Sequence, residues 1–175
     1  MSDAAAGNGT RRTIRDHVHD RPGIHFNELV RALDLAPGQV QHHLRRLTRT
    51  DRVVADELFG QTHYFPPEFD DWERAALALL HRETTADVIA ELLAAGPLPA
   101  GETATRVGIA RSTCSWHVDR LVEADVVRTE RDGNRVVLAL TDPERTARLL
   151  QRADPSLPER LVDRFTRLVD SLLAE

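Results

Sequence analysis

The sequence predicts a mainly α-helical fold with small β-hairpins (α+β), and it predicts that this unit occurs twice in the chain. Two stretches coincide when the sequence is shifted against itself by 74 positions, so that His43 meets His117 and Asp51 meets Asp125. Apolar residues recur at helical spacing in both stretches, and alternating residues around a turn signal follow each of them. The repeat, the helical period and the hairpin pattern together indicate two copies of one small domain.

Size and composition restrict the fold further. A chain of 175 residues suits one medium domain or two small ones. Hydrophobic residues make up 41% of the chain and aromatic residues only 5%, so aliphatic side chains have to fill the core. The single cysteine excludes an internal disulfide framework and fits a reducing compartment.

The N-terminus and the apolar runs bear on localisation. The segment MSDAAAGNGTRR has no apolar signal core, and we expect residues 1–10 to form a disordered tail before a helix. The longest apolar run, near residues 75–80, is far too short to cross a bilayer. We therefore expect a cytoplasmic protein with no membrane partner.

The charge balance argues against a generally basic surface. The net charge is −5, and all 23 basic residues are arginine. A surface for nucleic acid, if the chain has one, must therefore be local, and the position of the arginines matters more than their number.

The first copy is predicted to contain three helices and a hairpin. Residues 13–20 and 27–33 have helical patterns, and Val40, Leu44 and Leu47 form the apolar stripe of the third helix. Pro37 suits the first position of that helix, although Ala36 before it is a poor N-cap. Residues 52–65 are predicted to form the hairpin, with a turn near Gly60.

The second copy repeats this order. Residues 85–95 and 101–107 are predicted helices, and the Gly-Pro-Leu-Pro run at 96–99 ends the first of them. The third helix carries Cys114, Val118 and Leu121 at the spacing of its counterpart. Residues 126–140 are predicted to form the hairpin, because Asp132-Gly133-Asn134 is a strong turn signal.

Helical patterns also connect and follow the two copies. Residues 71–82 are predicted to form a connecting helix, and residues 144–152 and 158–174 two C-terminal helices. The last helix places four apolar residues at spacings of four, three and four: Leu161, Phe165, Leu168 and Leu172. Such a seam favours a partner helix, so we expect it to pair two chains into a homodimer.

Helix, helix, turn, helix and hairpin in this order is the arrangement of a winged helix-turn-helix domain. We therefore expect two winged helix-turn-helix domains plus a C-terminal dimerisation helix. The expected divisions are a tail over 1–10, a first domain over 11–67, a connecting helix over 68–84, a second domain over 85–142 and C-terminal helices over 143–175.

The segment PGIHFNELVRALDLAPGQVQHHLRRL, residues 22–47, resembles the tandem winged helix-turn-helix transcription regulators of archaea, in the broad MarR/ArsR-like superfamily. The resemblance extends from about residue 11 to residue 140, and the internal repeat makes it more specific than a single helix-turn-helix would. It implies sequence-specific binding of double-stranded DNA, usually as a dimer. It supplies neither a target promoter nor an effector.

The third helix of the first copy is the main candidate for DNA contact. Its residues off the apolar stripe, together with one arginine that follows, are Gln39, Gln41, His42, Arg45, Arg46, Arg49 and Arg52. Glutamine pairs with adenine, and arginine with guanine or phosphate. The four arginines make this the most positive segment of the chain. The alternative is a solvated basic face that serves surface ion pairs.

In the second copy, the third helix is a weaker candidate for DNA contact than in the first copy, and the hairpin is a stronger one. Its candidate DNA-binding residues are Arg111, Ser112, Thr113 and Ser115 on the helix and Arg131 and Arg135 beside the hairpin turn, which would enter a minor groove. Asp119 and Glu123 interrupt the positive field of the helix and would repel phosphate. An exposed Trp116 would favour a protein contact equally well.

The histidines and the cysteine allow other kinds of site. His42 and His43 are adjacent and diverge on a helix, and the chain has no second cysteine, so we expect no metal. His43 and His117 are expected to pack within their helix trios. Cys114 is expected to be a small buried residue, and the alternative is a redox-active thiol whose pKa is depressed by Arg111 and the helix N-terminus.

The expected function follows from these patterns. No Ser-His-Asp set, carboxylate pair or cofactor loop stands out, so we expect neither an enzyme nor a cofactor. We expect a dimeric transcription regulator that binds double-stranded DNA. The alternative from another class is a winged-helix scaffold that binds a protein instead of DNA, which the negative net charge, Asp119, Glu123 and Trp116 favour.

Overall fold

The computed structural model describes residues 2–153, with side chains described from Gly7 onward. The chain divides into two compact units, Met1–His81 and Arg82–Glu175. The division falls inside the segment 68–84, where the sequence predicts a connecting helix. Each unit holds one copy of the repeat.

The described part of the first unit runs in the order α1 (Ser2–Asp20), β1 (Ile24–His25), α2 (Phe26–Leu33), α3 (Pro37–Arg49), β2 (Val54–Leu58), β3 (Gln61–Phe65) and α4 (Asp71–Leu80). β3 lies between β1 and β2 in an antiparallel sheet. β2 and β3 form the predicted hairpin, whose two turn residues, Phe59 and Gly60, both have positive φ.

The core of the first unit is made by three helices and the start of the hairpin. Ile14 and Val18 of α1, Leu29 of α2, and Val40 and Leu44 of α3 are each at most 2% exposed and form one cluster. Burial of one such aliphatic side chain stabilises a fold by about 1.5–3 kcal/mol before the loss of conformational entropy is counted. The apolar stripe of α3 therefore fixes which side of that helix remains at the surface.

α1 begins at Ser2, so a helix covers most of the segment 1–10 for which the sequence predicts a disordered tail. Alanine has the highest helix propensity, so the three consecutive alanines at 4–6 offset the unfavourable helix propensity of Gly7 and Gly9. This part of the helix lies close to α3, since a Cβ added at Gly7 would lie 4.0 Å from Cε1 of His43.

The described part of the second unit runs in the order α5 (Glu83–Ala95), β4 (Leu98–Pro99), α6 (Ala100–Val107), α7 (Arg111–Glu123), β5 (Val127–Asp132), β6 (Arg135–Leu140) and α8 (Pro143–Ala153). β6 lies between β4 and β5. α6 and α7 occupy the residues of α2 and α3 shifted by 74. The strand register repeats with the same shift, since Ile24 pairs with Tyr64 and Leu98 with Leu138.

The third strand of each sheet, β1 or β4, is not predicted by the sequence pattern. Each has only two residues, which is too few for an alternation to be detected. β4 also ends in Pro99, which has no N–H to donate and is tolerated there at the edge of the sheet. Apart from α1, the helix bounds predicted within residues 2–153 agree with the structure to within two residues.

The last described helix, α8, buries Thr146, Leu149 and Leu150. The residues predicted to form the dimerisation seam, Leu161, Phe165, Leu168 and Leu172, lie outside the described residues. None of the helices between residues 2 and 153 has both the length and the apolar character that a membrane span requires.

Gly23 occupies the most restricted backbone position of the first unit. Its φ is +91°, and a Cβ there would lie 3.1 Å from Cδ2 of His81 and 3.2 Å from Cε1 of Phe65. Its N–H donates to the carbonyl oxygen of Tyr64 at 2.8 Å, and its own carbonyl oxygen accepts from Nδ1 of His63 at 2.6 Å. Any larger residue meets both backbone strain and a filled space.

We expect Gly23→Ala to lower the free energy of unfolding by about 1–3 kcal/mol, because strain of that order follows from an unfavourable φ alone. Urea titration followed by circular dichroism measures it. Gly38→Ala is the matched control, since Gly38 lies in α3 and, apart from its chain neighbours and the backbone of its own helix, no heavy atom lies within 4 Å of its Cβ position. That change should leave stability equal or raise it by up to about 1 kcal/mol. Equal destabilisation by both changes would contradict the prediction.

Candidate nucleic-acid interface

α3 has one buried face and one exposed face. Val40, Leu44 and Leu47 are at most 4% exposed. At 3.6 residues per turn, the exposed polar side chains fall within one continuous arc of the helix. They are Gln39, Gln41, His42, Arg45, Arg46 and Arg49, all of them exposed, and we call them the α3 face. Arg52 is exposed just beyond the helix, so the structure brings all seven predicted residues of the first copy to the surface.

The local sequence explains how the start of α3 is presented. α2 ends at Asp34, which adopts the left-handed conformation with φ of 50°. Ala36 then caps α3 without a side-chain hydrogen bond, and Pro37 occupies the first turn. The first turn of α3 contains no acidic residue, so no carboxylate offsets the positive end of the helix dipole. This end of the helix can accept an external anion.

The arginines on and beside α3 have no ion-pair partner among the side chains that the structure describes. Within the described residues, no carboxylate lies within 4 Å of the guanidinium groups of Arg45, Arg46, Arg49 or Arg52. Arg74 shows the contrast, because it donates to Asp56 at 3.0 Å and to the carbonyl oxygen of Phe69 at 2.7 Å. The four guanidinium groups near α3 therefore do not serve surface ion pairs in this unit, which leaves them for an external anion.

His43 lies on the inner side of α3. Its side chain is buried, as the packing role predicted for it requires, and its Nδ1 has no hydrogen-bond partner among the described residues. Burial, followed by the positive charges of Arg11, His42 and Arg46, lowers the pKa of His43 below its usual value. The histidine is therefore mainly neutral at neutral pH, and it lies on the inner face of the basic helix.

α7 keeps the buried stripe of α3 but has a different outer surface. Its stripe residues Cys114, Val118 and Leu121 are buried. The predicted residues of its N-terminal half, Arg111, Ser112, Thr113 and Ser115, are all exposed. Further along, Asp119 and Glu123 are exposed at the places that Arg45 and Arg49 hold in α3. Two positive charges are thus replaced by two negative ones on the same side of the helix.

The Trp116 side chain is 45% exposed, and the guanidinium groups of two arginines lie near its ring. The guanidinium carbon of Arg120 lies 3.7 Å from the ring centroid, and that of Arg82 lies 5.6 Å from it. Arg120 is therefore engaged in a cation–π contact within the second unit. The contribution of Arg82 was missed because it lies 34 residues before Trp116, and no local spacing connects the two.

The two hairpins differ in which of their charged side chains form ion pairs within the described residues. Within the second hairpin, Arg128 donates to Glu130 at 2.9 Å and to the carbonyl oxygen of Leu140 at 2.7 Å. Arg131 and Arg135 are exposed, and among the described side chains neither has a carboxylate within ion-pair distance. These two are the hairpin residues predicted for DNA contact. In the first hairpin, Asp56 is neutralised by Arg74, while Glu57 remains exposed.

Cys114 is buried in the second unit, as expected for a small core residue. It is 2% exposed, and its Sγ lies 4.0 Å from the carbonyl oxygen of Ala100. Burial raises the pKa of the thiol, which contradicts the alternative in which Arg111 and the helix N-terminus depress it. Over the part of the chain with described side chains, no group of three His, Cys, Asp or Glu residues is arranged to hold a metal ion.

Both copies match known families. Residues 8–77 match a family model described as an N-terminal helix-turn-helix domain, and residues 79–130 match one described as a helix-turn-helix domain. A curated relative, an uncharacterised helix-turn-helix-type transcriptional regulator of Methanocaldococcus jannaschii, is 25% identical over 135 residues. The match covers 77% of this chain and 34% of the relative, so the chain spans about a third of that relative's length.

Several solved structures overlap parts of the chain. Reduced HlyU from Vibrio cholerae is 24% identical, with a TM-score of 0.42 over 46% of this chain and 86% of that one. A winged helix-turn-helix domain from Mycobacterium bovis, described as a possible ArsR-family regulator, is 24% identical, with a TM-score of 0.41 over 53% and 80%. A MarR family regulator from Silicibacter pomeroyi is 19% identical, with a TM-score of 0.36 over 78% and 94%.

We expect His43 to make folding pH-dependent. Because its pKa is lowered in the folded chain, the unfolded chain binds more protons, and stability is lost as pH falls below the unfolded value of about 6.5. His43→Leu should flatten the fall in unfolding free energy between pH 7.5 and 5.0, by at most about 1.4 kcal/mol per pH unit. Urea titrations at several pH values measure it. His42→Leu, its exposed neighbour, is the control, and equal slopes for both variants would refute the prediction.

Proposed function

Because the chain is a tandem winged helix-turn-helix protein, we propose that it regulates transcription by sequence-specific binding of double-stranded DNA as a dimer. The observation that carries the proposal is the α3 face with Arg52 beside it. Four guanidinium groups that have no ion-pair partner among the described side chains lie on or beside one helix there, on a chain whose net charge is −5. Exposed cations concentrated on one helix, above a buried apolar stripe, suit a polyanionic partner.

The dimensions of α3 are compatible with a DNA groove. A helix of 13 residues is about 20 Å long, and the major groove of B-DNA is about 12 Å wide. In the proposed complex, Gln39, Gln41, His42 and Arg45 point toward base edges. Glutamine presents both a donor and an acceptor to adenine, and arginine presents two donors to guanine.

The other cations position the chain on the backbone of the duplex. Arg46, Arg49 and Arg52 would hold phosphates beside α3, and Arg131 and Arg135 would hold them from the second hairpin. Arg111, Ser112, Thr113 and Ser115 would add weaker contacts from the start of α7. If about six phosphates are neutralised, the logarithm of the DNA affinity falls linearly with the logarithm of the salt concentration, with a slope near −5.

The difference between the two copies supports α3 as the principal DNA-contacting helix. Asp119 and Glu123 of α7 stand where α3 has Arg45 and Arg49. A carboxylate at either place repels phosphate and would leave an unpaired charge against the duplex. Contacts of the second copy with DNA would therefore be concentrated at its hairpin and the first turn of α7.

The dimer part of the proposal rests on the sequence pattern at the C-terminus. Leu161, Phe165, Leu168 and Leu172 recur at the spacing of a helical seam. In a symmetric dimer the distance between the two α3 helices is set by the pairing of such seams, and it would determine the spacing of the two DNA half-sites.

A second candidate function is a scaffold that binds a protein. It is favoured by one observation, the 45% exposure of Trp116 on an α7 surface that also carries Asp119 and Glu123. Exposed aromatic residues are typical of protein interfaces. The DNA experiment that follows separates the two candidates.

We expect Arg45→Ala/Arg49→Ala to weaken binding to the best genomic fragment by at least about tenfold and to lower the magnitude of the salt slope by about 1 to 2. Fluorescence anisotropy at two salt concentrations measures both quantities. Arg12→Ala/Arg148→Ala is the charge-matched control on exposed positions of α1 and α8. A wild-type chain that retains no fragment in a salt-dependent way would establish the scaffold instead.

The reciprocal change tests whether α7 approaches the duplex. Asp119→Arg/Glu123→Arg gives α7 the charges of α3, and we expect it to tighten DNA binding severalfold with a steeper salt dependence. An unchanged affinity would mean that the second helix-turn-helix does not contribute its helix to the interface.

We expect the chain to scatter light as a species of twice 19.6 kDa at micromolar concentration. Leu161→Asp/Leu168→Asp should reduce the mass to that of one chain, since two carboxylates in an apolar seam are costly to bury. A wild-type mass of one chain would refute the dimer and leave the DNA proposal for a single chain.

A further inference from the structure

The outer face of α7, in the second unit, carries an aromatic residue between charges of opposite sign. Trp116 lies at its centre and is exposed. From the helical pitch, Arg120 lies about 40° to one side of Trp116, while Glu123 and Asp119 lie about 20° and about 60° to the other. All four residues lie on the side of α7 that is opposite its buried stripe.

Both carboxylates of this face are uncompensated within the second unit. Asp119 and Glu123 are exposed, and among the described side chains no arginine or histidine lies within 4 Å of either carboxylate. The two residues are four apart, so their side chains are neighbours on the helix, and like charges at this spacing are destabilising. A cation placed between them from outside would relieve that repulsion.

The cations of the face are uncompensated too. The guanidinium groups of Arg120 and Arg82 lie 3.7 and 5.6 Å from the ring centroid of Trp116. Nε of Arg120 is buried and has no hydrogen-bond partner among the described residues. Burial, followed by the charge of Arg120, lowers the pKa of Arg82. Two guanidinium groups that share one ring therefore favour an anion from outside.

A duplex does not match this distribution of charge. It presents phosphates on both sides of a helix in its groove, and on one side they would meet Asp119 and Glu123. The matching partner offers carboxylates to the side of Arg120, a cation to the side of Asp119, and an apolar surface to Trp116.

A second copy of α7 has these three features in the required places. When two such helices lie side by side and parallel about a two-fold axis, each side of one helix meets the other side of its mate. Arg120 of one chain then lies opposite Asp119 and Glu123 of the other, displaced along the axis by about 1.5 Å and about 4.5 Å. The two Trp116 rings meet at the axis.

The first copy of the repeat shows that this self-complementarity is particular to α7. With the shift of 74 residues, α3 has three arginines, Arg45, Arg46 and Arg49, where α7 has Asp119, Arg120 and Glu123. Two copies of α3 in the same arrangement would place only like charges opposite each other, which opposes association.

We infer that the outer face of α7 is a contact surface for α7 of a second copy of this chain. The surface is separate from the C-terminal residues proposed for the dimer. One helix face is smaller than the roughly 1,200 Å² that stable complexes bury, so we expect a dissociation constant on the order of 100 µM. The inference does not depend on DNA binding, because its test is the mass of the free chain.

The experiment uses the full chain with Leu161→Asp/Leu168→Asp, called the parent chain, so that the C-terminal seam does not contribute. Sedimentation equilibrium from about 10 µM to about 1 mM should show single chains in equilibrium with pairs. Association should weaken at least about tenfold in 1 M salt, because the Debye length falls to about 3 Å there and exposed ion pairs are screened.

Two charge reversals in the parent chain test the pairing of residues. Asp119→Arg places arginine opposite arginine and Arg120→Asp places carboxylate opposite carboxylate, so each should weaken self-association at least about tenfold. Mixed in equal amounts, the two variants should associate with each other as tightly as the parent chain, because every arginine again meets a carboxylate. Arg148→Asp, exposed on α8, is the charge-matched control and should self-associate as the parent does.

The opposite results overturn the inference. A parent chain that stays single up to about 1 mM, well above the expected dissociation constant, does so and leaves the α7 face to a different protein. A mixture of the two reversed variants that associates no better than either variant alone also overturns it.

Two further measurements decide the inference where a variant fails to fold by circular dichroism. Glu123→Arg also places arginine opposite Arg120, so it substitutes for Arg120→Asp, and association equal to that of the parent overturns the inference. If the parent chain itself is unfolded, the reversals are made in the wild-type chain and the two variants are mixed. Native mass spectrometry should then find mixed assemblies in excess of random pairing, and random pairing overturns the inference.

Discussion

The burial of one apolar stripe on the third helix of each copy is the constraint from which the surface chemistry follows. Val40, Leu44 and Leu47 must lie against α1 and α2 to leave water, and this fixes the rotation of α3 about its axis. Once the rotation is fixed, the positions on the opposite side of α3 have no inner surface to contact. Whatever those positions carry is presented outward, which is why an arginine-rich helix in an acidic chain remains available to a partner.

The second copy shows that the same constraint accommodates different chemistry. The bounds of α6 and α7 and the strand register coincide with those of the first copy after a shift of 74, yet α7 has Asp119 on its outer face where α3 has Arg45. Its interior differs as well, since Ala100 replaces Phe26. The stripe of α7 stays apolar and buried although Val118 replaces Leu44 in it, so α7 keeps its inner face while its exposed charges change.

The sequence predicts those features whose cause is local. Helix bounds follow from period and from stop signals such as Gly96, and the hairpins follow from turn residues such as Gly133. What depends on distant contacts is not predicted. The two residues of β1 become a strand only because Tyr64 pairs with Ile24, and the stacking of Arg82 and Arg120 on Trp116 joins parts of the chain that no spacing relates.

The balance between local cations and the acidic remainder gives the proposed DNA complex its orientation. Acidic residues outnumber basic ones by 28 to 23, so the field around most of the chain repels a polyanion. Repulsion acts over about one Debye length, roughly 8 Å at physiological salt, so a duplex is guided to the α3 face only at close approach. Rising salt weakens the phosphate contacts of Arg46, Arg49 and Arg52, whereas the hydrogen bonds of Gln39 and Gln41 to bases release no counter-ions. The ratio of specific to non-specific affinity should therefore increase with salt concentration even though both affinities fall. An acidic chain with a few cations on one helix thus gains sequence specificity at the expense of affinity.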